Sequence, residues 1–255
     1  MAKTRISVIT VVYNGAQVLR KTLASVRAQN FDDFEYIVID GGSADGTVRL
    51  IEESGGLVDR WVSEPDKGIY DAMNKAARLA SGDYLYFLNA GDSFKGPLVL
   101  TSAASLLASD PVVLVGRVSV KGGRADIYPV DFSLESIRDT RALFASHFCH
   151  QALFVRRQDW LSVGGFSLKY PHFADFHNAV LVMRAGVVKD APGLVVADFP
   201  LDGASSNWRK AVALYDEKER VLSDLGVSIS FPRYLAGRVR AILFVWRSIL
   251  RGGFR

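Results

Sequence analysis

Residues 83–92 read Asp83-Tyr84-Leu85-Tyr86-Phe87-Leu88-Asn89-Ala90-Gly91-Asp92, and their character changes abruptly at Asn89. The run 84–88 is short, apolar and aromatic, with Gly82 before it and Gly91 after it. That pattern predicts a strand buried on both faces, as in a parallel sheet covered by helices. The polar residues Asn89 and Asp92 fall at its carboxyl end. In open α/β sheets ligands bind at the carboxyl ends of strands, so this turn is the first candidate site. A carboxylate on a glycine turn suits a metal ion, a diphosphate or a sugar hydroxyl. It suits equally an Asx turn bonded to its own backbone.

Working outward, the residues before this stretch alternate between strand and helix patterns. The β-branched run 6–12 is the first strand, closed by Tyr13-Asn14-Gly15. Asn14 and Gln17 have the spacing of a capping box for a helix carrying Leu19, Leu23 and Val26. Residues 34–39 form the second strand and end at Asp40, followed by a helix over 47–54. A short strand at 60–63, a loop at 64–68 and a helix over 69–80 complete the half. Alternation of this kind specifies a mainly parallel sheet with helices on both faces. It brings Tyr13, Asp40 and Asn89 to Asp92 to one sheet edge. The N-terminal Met1-Ala2-Lys3-Thr4-Arg5 plus an apolar run has the look of a leader, but the run is short and β-branched and lacks a small-residue cleavage site.

Beyond residue 92 the pattern is less regular. Helices are expected over 98–108, 133–144, 158–163, 174–185 and 208–225, and strands over 112–120, 152–155 and 194–199. A mild boundary lies near Phe231-Pro232. The expected organisation is therefore one domain over 1–231, in two halves of different regularity (1–92 and 93–231), plus a tail at 232–255.

Composition narrows the function. The hydrophobic and charged fractions, 49% and 23%, are those of a globular protein, and no stretch is long enough to cross a membrane. A single cysteine, Cys149, rules out an internal disulfide framework and fits a reducing, cytoplasmic compartment. The net charge is +4, yet Arg233, Arg238, Arg240, Arg247, Arg251 and Arg255 carry six positive charges in a tail without acids. The body thus stands at −2, which argues against nucleic-acid binding.

Asp40-Gly41-Gly42-Ser43-Ala44-Asp45-Gly46-Thr47 is neither a dinucleotide fingerprint nor a P-loop, because the glycine spacing and the Lys-Ser/Thr pair are missing. Asp40 can accept hydrogen bonds from a base or ribose, or it can cap its own turn. His147, His150, Asp175 and His177 match no standard zinc spacing. His172 is expected on the surface.

The order of these motifs carries a resemblance. Residues 6–14, Val38-Ile39-Asp40-Gly41-Gly42-Ser43, Ser63-Glu64-Pro65-Asp66-Lys67-Gly68-Ile69-Tyr70-Asp71-Ala72-Met73-Asn74-Lys75 and Asn89-Ala90-Gly91-Asp92 resemble the inverting, family 2 glycosyltransferases with the GT-A fold. The likeness is greatest to bacterial surface-polysaccharide members. It is dense over 5–92 and thinner through His150-Gln151, Gly164-Gly165-Phe166 and Ala174-Asp175. The resemblance implies a nucleotide-diphosphate sugar donor, a UDP-sugar first. Tyr13 would lie against the base, Asp40 would hydrogen-bond it, and Thr10 and Asn14 would shape that pocket. Asp66, Lys67 and Asn74 would lie near the nucleotide and donor sugar. Asn89 to Asp92 stands where the family has its metal-binding Asp-x-Asp, and Asp175 where it has its base. His150 and Gln151 fall on the acceptor side.

Two departures matter. Asp92 is the only carboxylate left in the metal segment, so a divalent cation, Mn²⁺ or Mg²⁺, would be held weakly, with diphosphate and water completing its oxygen shell. Ala174 replaces the glutamate that often precedes the base. The Gln-x-x-Arg-Trp signature of processive synthases is absent, which implies transfer of one sugar per encounter. A nucleotidyltransferase would need a glycine-rich, arginine-containing loop after the first strand, which Tyr13-Asn14-Gly15-Ala16 is not. The thinned metal segment also admits a non-catalytic nucleotide-sugar-binding protein.

On a helix, Arg233, Arg240, Arg247 and Arg251 fall on one side of the tail. Leu235, Val239, Ile242, Leu243, Trp246, Ile249 and Leu250 cover much of the other. A basic stripe beside an apolar face suits the anionic inner surface of a plasma membrane, and with it an acceptor glycan carried on lipid. A helix packed on the body or on a second copy in a homo-oligomer is the other reading of the same pattern.

Overall fold

A computed structural model describes residues 5–121, 149–200, 211–227, 235–237 and 239 of the chain. The helix expected over 133–144, and His147, lie outside the described residues.

The first half is built as its pattern requires. Strand β1 (Ile6–Val12) is buried at every position. It pairs in parallel with β2 (Phe34–Asp40) on one side and β4 (Tyr84–Phe87) on the other. Strand β3 (Arg60–Ser63) adds in parallel at the edge beyond β2. Helices α1 (Ala16–Arg27), α2 (Thr47–Glu52) and α3 (Ile69–Leu79) make the crossovers. In α3 the buried residues Tyr70, Met73, Asn74, Ala76 and Ala77 recur at helical spacing, and small alanines let the helix lie close on the sheet. The register pairs Val12 with Asp40, so Tyr13, Asp40 and the turn after β4 end on one edge.

The second half makes the sheet mixed. Its eight strands run β3-β2-β1-β4-β7-β6-β8-β5. Strand β7 (Leu153–Arg156) is antiparallel to both β4 and β6 (Val113–Lys121). Strand β8 (Val188–Pro200) runs parallel to β6 and antiparallel to β5 (Ser93–Phe94). Helices α4 (Val99–Leu107), α5 (Arg157–Ser162), α6 (Ala174–Ala185) and α7 (Ala211–Asp224) cover it.

Strand β8 starts six residues before the expected 194. Pro192 and Gly193 look like a break in the sequence, but the strand passes them as a bulge where the β6–β8 register shifts around Arg117. Gly116 permits this: a Cβ there would lie 2.6 Å from a Val196 methyl and 2.8 Å from the Leu194 carbonyl oxygen. Strand β5, two residues long, is too short to show a period.

The capping box expected at Asn14 and Gln17 does not form. Gly15 occupies the N-cap position of α1, with no side-chain cap bond. Asn14 adopts the left-handed conformation (φ 46°), and its Oδ1 accepts the Ala44 amide at 2.9 Å. The N-terminus of α1 is instead capped from the neighbouring loop, as Asp45 Oδ2 accepts the Ala16 amide at 3.0 Å.

Candidate active site

The ends of β1, β2 and β4 meet the start of α6 and a 3₁₀ turn, His150–Ala152, at one cleft. Asp175 is the second residue of α6, in the first turn, where the helix dipole favours a carboxylate. Its Oδ1 accepts the Tyr70 phenol at 3.0 Å and the Phe176 amide at 2.8 Å. Its Oδ2 faces His150 Nδ1 at 3.1 Å. On its other side the imidazole meets the Asn89 side-chain amide, Nε2 to Nδ2, at 3.0 Å. Nδ1 donating to Asp175 and Nε2 accepting from Asn89 satisfies both contacts. Burial, with the Asp175 charge beside it, pushes the Tyr70 phenol far above its ordinary range, so it remains a donor.

The next residue of the turn reaches the other candidate carboxylate. Gln151 donates from Nε2 to Asp92 Oδ2 at 3.1 Å, and its Oε1 accepts the Cys149 thiol at 2.7 Å. Cys149, to which the sequence assigned no role, thereby holds the amide with its NH₂ towards Asp92. Burial raises the carboxyl of Asp92, which is only 5% exposed, and the Gln151 bond offsets this in part.

The segment tolerates a hard cation. Asn89 Oδ1 is buried and accepts no hydrogen bond from the described residues, and it stands in the same turn as the Asp92 carboxylate. Two oxygens are fewer than the six or so that such an ion takes, and a diphosphate supplies others. No cluster of three His, Cys, Asp or Glu side chains suited to a metal occurs among the described residues.

Several residues that the resemblance sent to the nucleotide turn their polar groups into the protein. Asp40 is fully buried. Its carboxylate accepts the Gly42 and Ser43 amides at 3.1 and 2.9 Å, the Ser63 hydroxyl at 2.7 Å and the Ser43 hydroxyl. Thr10 donates to the Leu88 carbonyl at 2.6 Å and receives the Tyr36 phenol at 2.9 Å. Asn74 holds both backbone groups of Phe166, Nδ2 to O at 2.8 Å and Oδ1 from N at 2.9 Å. These side chains shape the cleft from behind. Facing it are Tyr13, 67% exposed, the half-buried Asp66 and the exposed Lys67. A Cβ at Gly41 would meet Asp66 Oδ2 at 2.6 Å and the Tyr13 ring at 3.3 Å, so ring and carboxylate converge above this glycine.

His172 is half-buried rather than a surface residue and pairs with Glu217 of α7. His177 lies against the Tyr170 ring and joins neither candidate carboxylate in a metal cluster.

Comparison with known proteins shows the family and the fold. The profile of Glycosyl transferase family 2 matches residues 7–165. The chain belongs to that family and is a glycosyltransferase of GT-A fold. It is 33% identical to an uncharacterised glycosyltransferase of Mycobacterium tuberculosis over 229 residues, 85% of this chain and 82% of the other. It is 34% identical over 201 residues to the PGL/p-HBAD biosynthesis glycosyltransferase of Mycobacterium bovis, covering 72% of this chain and 74% of that one. Among solved structures, Staphylococcus aureus TarS 1–349 in complex with UDP-GlcNAc superposes with a TM-score of 0.69 at 17% identity, covering 94% and 72% of the two chains. The mannosyltransferase PcManGT of Pyrobaculum calidifontis, in complex with GDP-Man and Mn²⁺, gives 0.65 at 20% identity, covering 99% and 80%.

Proposed function

We propose that this glycosyltransferase is inverting and non-processive, and that it moves one sugar from a UDP-sugar to a hydroxyl of a lipid-linked acceptor in cell-envelope synthesis. The observation that carries the mechanism is the placement of Asp175. Its carboxylate is held by Tyr70 and by the His150 turn beside the segment that ends β4. An inverting transfer is one displacement: the acceptor oxygen attacks the anomeric carbon while the bond to the diphosphate breaks. It needs a base for the hydroxyl proton, and Asp175 takes that proton. The nucleoside diphosphate leaves with the bonding electron pair.

Tyr13 and Asp66, converging above Gly41, offer a ring face and an acceptor to a base. Lys67 offers charge to the phosphates. Asp92 and Asn89 would hold a divalent cation, which supplies positive charge to the departing diphosphate. The TarS complex with UDP-GlcNAc supports a uridine donor, and the PcManGT complex with GDP-Man defines the guanosine alternative. The relative named for PGL/p-HBAD biosynthesis supports a biosynthetic sugar transfer.

No helix among the described residues is long and apolar enough to cross a membrane. The basic tail supplies attachment to an anionic surface in this reading, although most of it lies outside the described residues. Leu235 and Val239, one helical turn apart, are both exposed.

The test is turnover of labelled UDP- and GDP-sugars with lipid-linked acceptors, with the anomeric configuration of the product read by NMR. Retention of configuration, or transfer from no nucleotide sugar, would overturn the proposal.

A further inference from the structure

The base sits beyond the part of the chain that the family profile matches, on a helix whose first turn is held from outside. Helix α7 does the holding. Glu217 is a buried carboxylate, 3% exposed, and its hydrogen bonds among the described residues go to the two residues that precede α6. Its Oε1 accepts the His172 amide at 2.7 Å and the Phe173 amide at 2.9 Å, while its Oε2 accepts His172 Nδ1–H at 2.9 Å. The Tyr70 phenol then spans the frame, since its oxygen lies 3.1 Å from the His172 carbonyl and 3.0 Å from Asp175 Oδ1. Seven residues on from Glu217, and so on the same face of α7, Asp224 accepts the Tyr170 phenol in the same loop.

A buried carboxylate is costly unless it is paired and hydrogen-bonded. Val221 and Leu222, the next buried residues of α7, bury apolar surface, whereas this position buries a charge. What the carboxylate does achieve is to fix the loop from which Asp175 starts. We propose that Glu217 is a positioning residue for sugar transfer. By clamping His172 and Phe173 it sets the height and direction of the first turn of α6, and hence of the Asp175 carboxylate. The inference rests on Asp175 being the base.

The test compares Glu217→Ala, Glu217→Gln and Leu222→Ala in the full chain, by steady-state kinetics at a temperature where all three are folded and by hydrogen exchange over residues 171–178. Glu217→Ala should lower kcat about 100-fold with donor KM unchanged, since a misplacement near 1 Å costs rates of that order. Amides at the start of α6 should exchange faster. Glu217→Gln keeps an oxygen for the two backbone amides and should recover part of kcat. Leu222→Ala, a cavity on the same helix, should lower the melting temperature but leave kcat within about twofold, because its side chain makes none of the clamp's hydrogen bonds. Wild-type kcat in Glu217→Ala, equal loss in Leu222→Ala, or unchanged exchange over 171–178 would each overturn the proposal. An Asp175→Asn enzyme that retains full activity would instead bring down the assignment of the base, whatever the exchange data show.

Discussion

Tyr70 donates its phenol to Asp175 across 105 residues of sequence, at 3.0 Å, and so joins helix α3 to helix α6. Asp175→Asn should abolish transfer while leaving nucleotide affinity within about twofold, because the amide fills the same space but cannot take a proton. Tyr70→Phe removes one hydrogen bond to a charged group, worth about 1.5–3 kcal/mol, and should lower kcat about 10- to 100-fold. Single-turnover kinetics and calorimetry with a nucleoside diphosphate check both. An Asp175→Asn enzyme with wild-type rate would place the base elsewhere.

Asp40 and Asp66 should separate stability from binding. The Asp40 carboxylate accepts four hydrogen bonds within its own loop and from Ser63, so Asp40→Ala should cost about 3 kcal/mol of folding stability. Asp66→Ala, at the mouth of the cleft, should leave the melting temperature nearly unchanged and weaken nucleotide binding about tenfold. The reverse pattern in denaturation and titration would assign the base contact to Asp40 after all.

Asp92→Ala should lower kcat and flatten its dependence on Mn²⁺, because it removes the one carboxylate of the segment. Gln151→Ala should do so less, since it frees an oxygen of Asp92 without removing it. Activity titrated with Mn²⁺ and Mg²⁺ decides this, and an Asp92→Ala enzyme with unaltered metal dependence would exclude the segment as the metal site.

Glu35 should give the fold an acid-sensitive component. Burial pushes its carboxyl up, but bonds from the Ser7 and Ser81 hydroxyls and the Ser81 and Gly82 amides outweigh it, and the net shift is downward from 4.5. A depressed acid stabilises the fold fully above its unfolded value and loses that contribution as pH falls through the folded one. Stability should therefore fall as pH drops below about 4.5. Glu35→Gln should be less stable at pH 7 and show a shallower acid limb in urea melts, and an identical pH profile would refute the assignment.

A chain ending at Phe231 should bind nucleotide like the full chain but no longer sediment with anionic vesicles, each lost arginine near the surface removing about 1 kcal/mol of attraction. Salt should weaken the full chain's binding in the same assay. The helical residues 235–237 bring Gly237 against the Tyr215 ring of α7, where no side chain would fit. Truncation should thus also cost some thermal stability. A full-length chain that ignores anionic vesicles at low salt would leave the tail as a packing helix.

Residue pattern alone was enough for the strands and helices of the first half, because burial on both faces makes a strand such as β4 continuously apolar and alternation with helices leaves one topology. It also determined which loops meet at the cleft, since parallel strands place their carboxyl ends together. Tertiary structure decided what each side chain does there. Asp40, Thr10 and Asn74 have the chemistry of ligand contacts, and their polar groups also bond Ser63, Tyr36 and Phe166, which come from other elements. The contacts that orient Asp175 come from Tyr70 and His150, and Glu217 holds the loop before it, at separations of 105, 25 and 44 to 45 residues. No local period or spacing encodes such pairings, because they exist only after the sheet has brought α3, the His150 turn, α6 and α7 to one end.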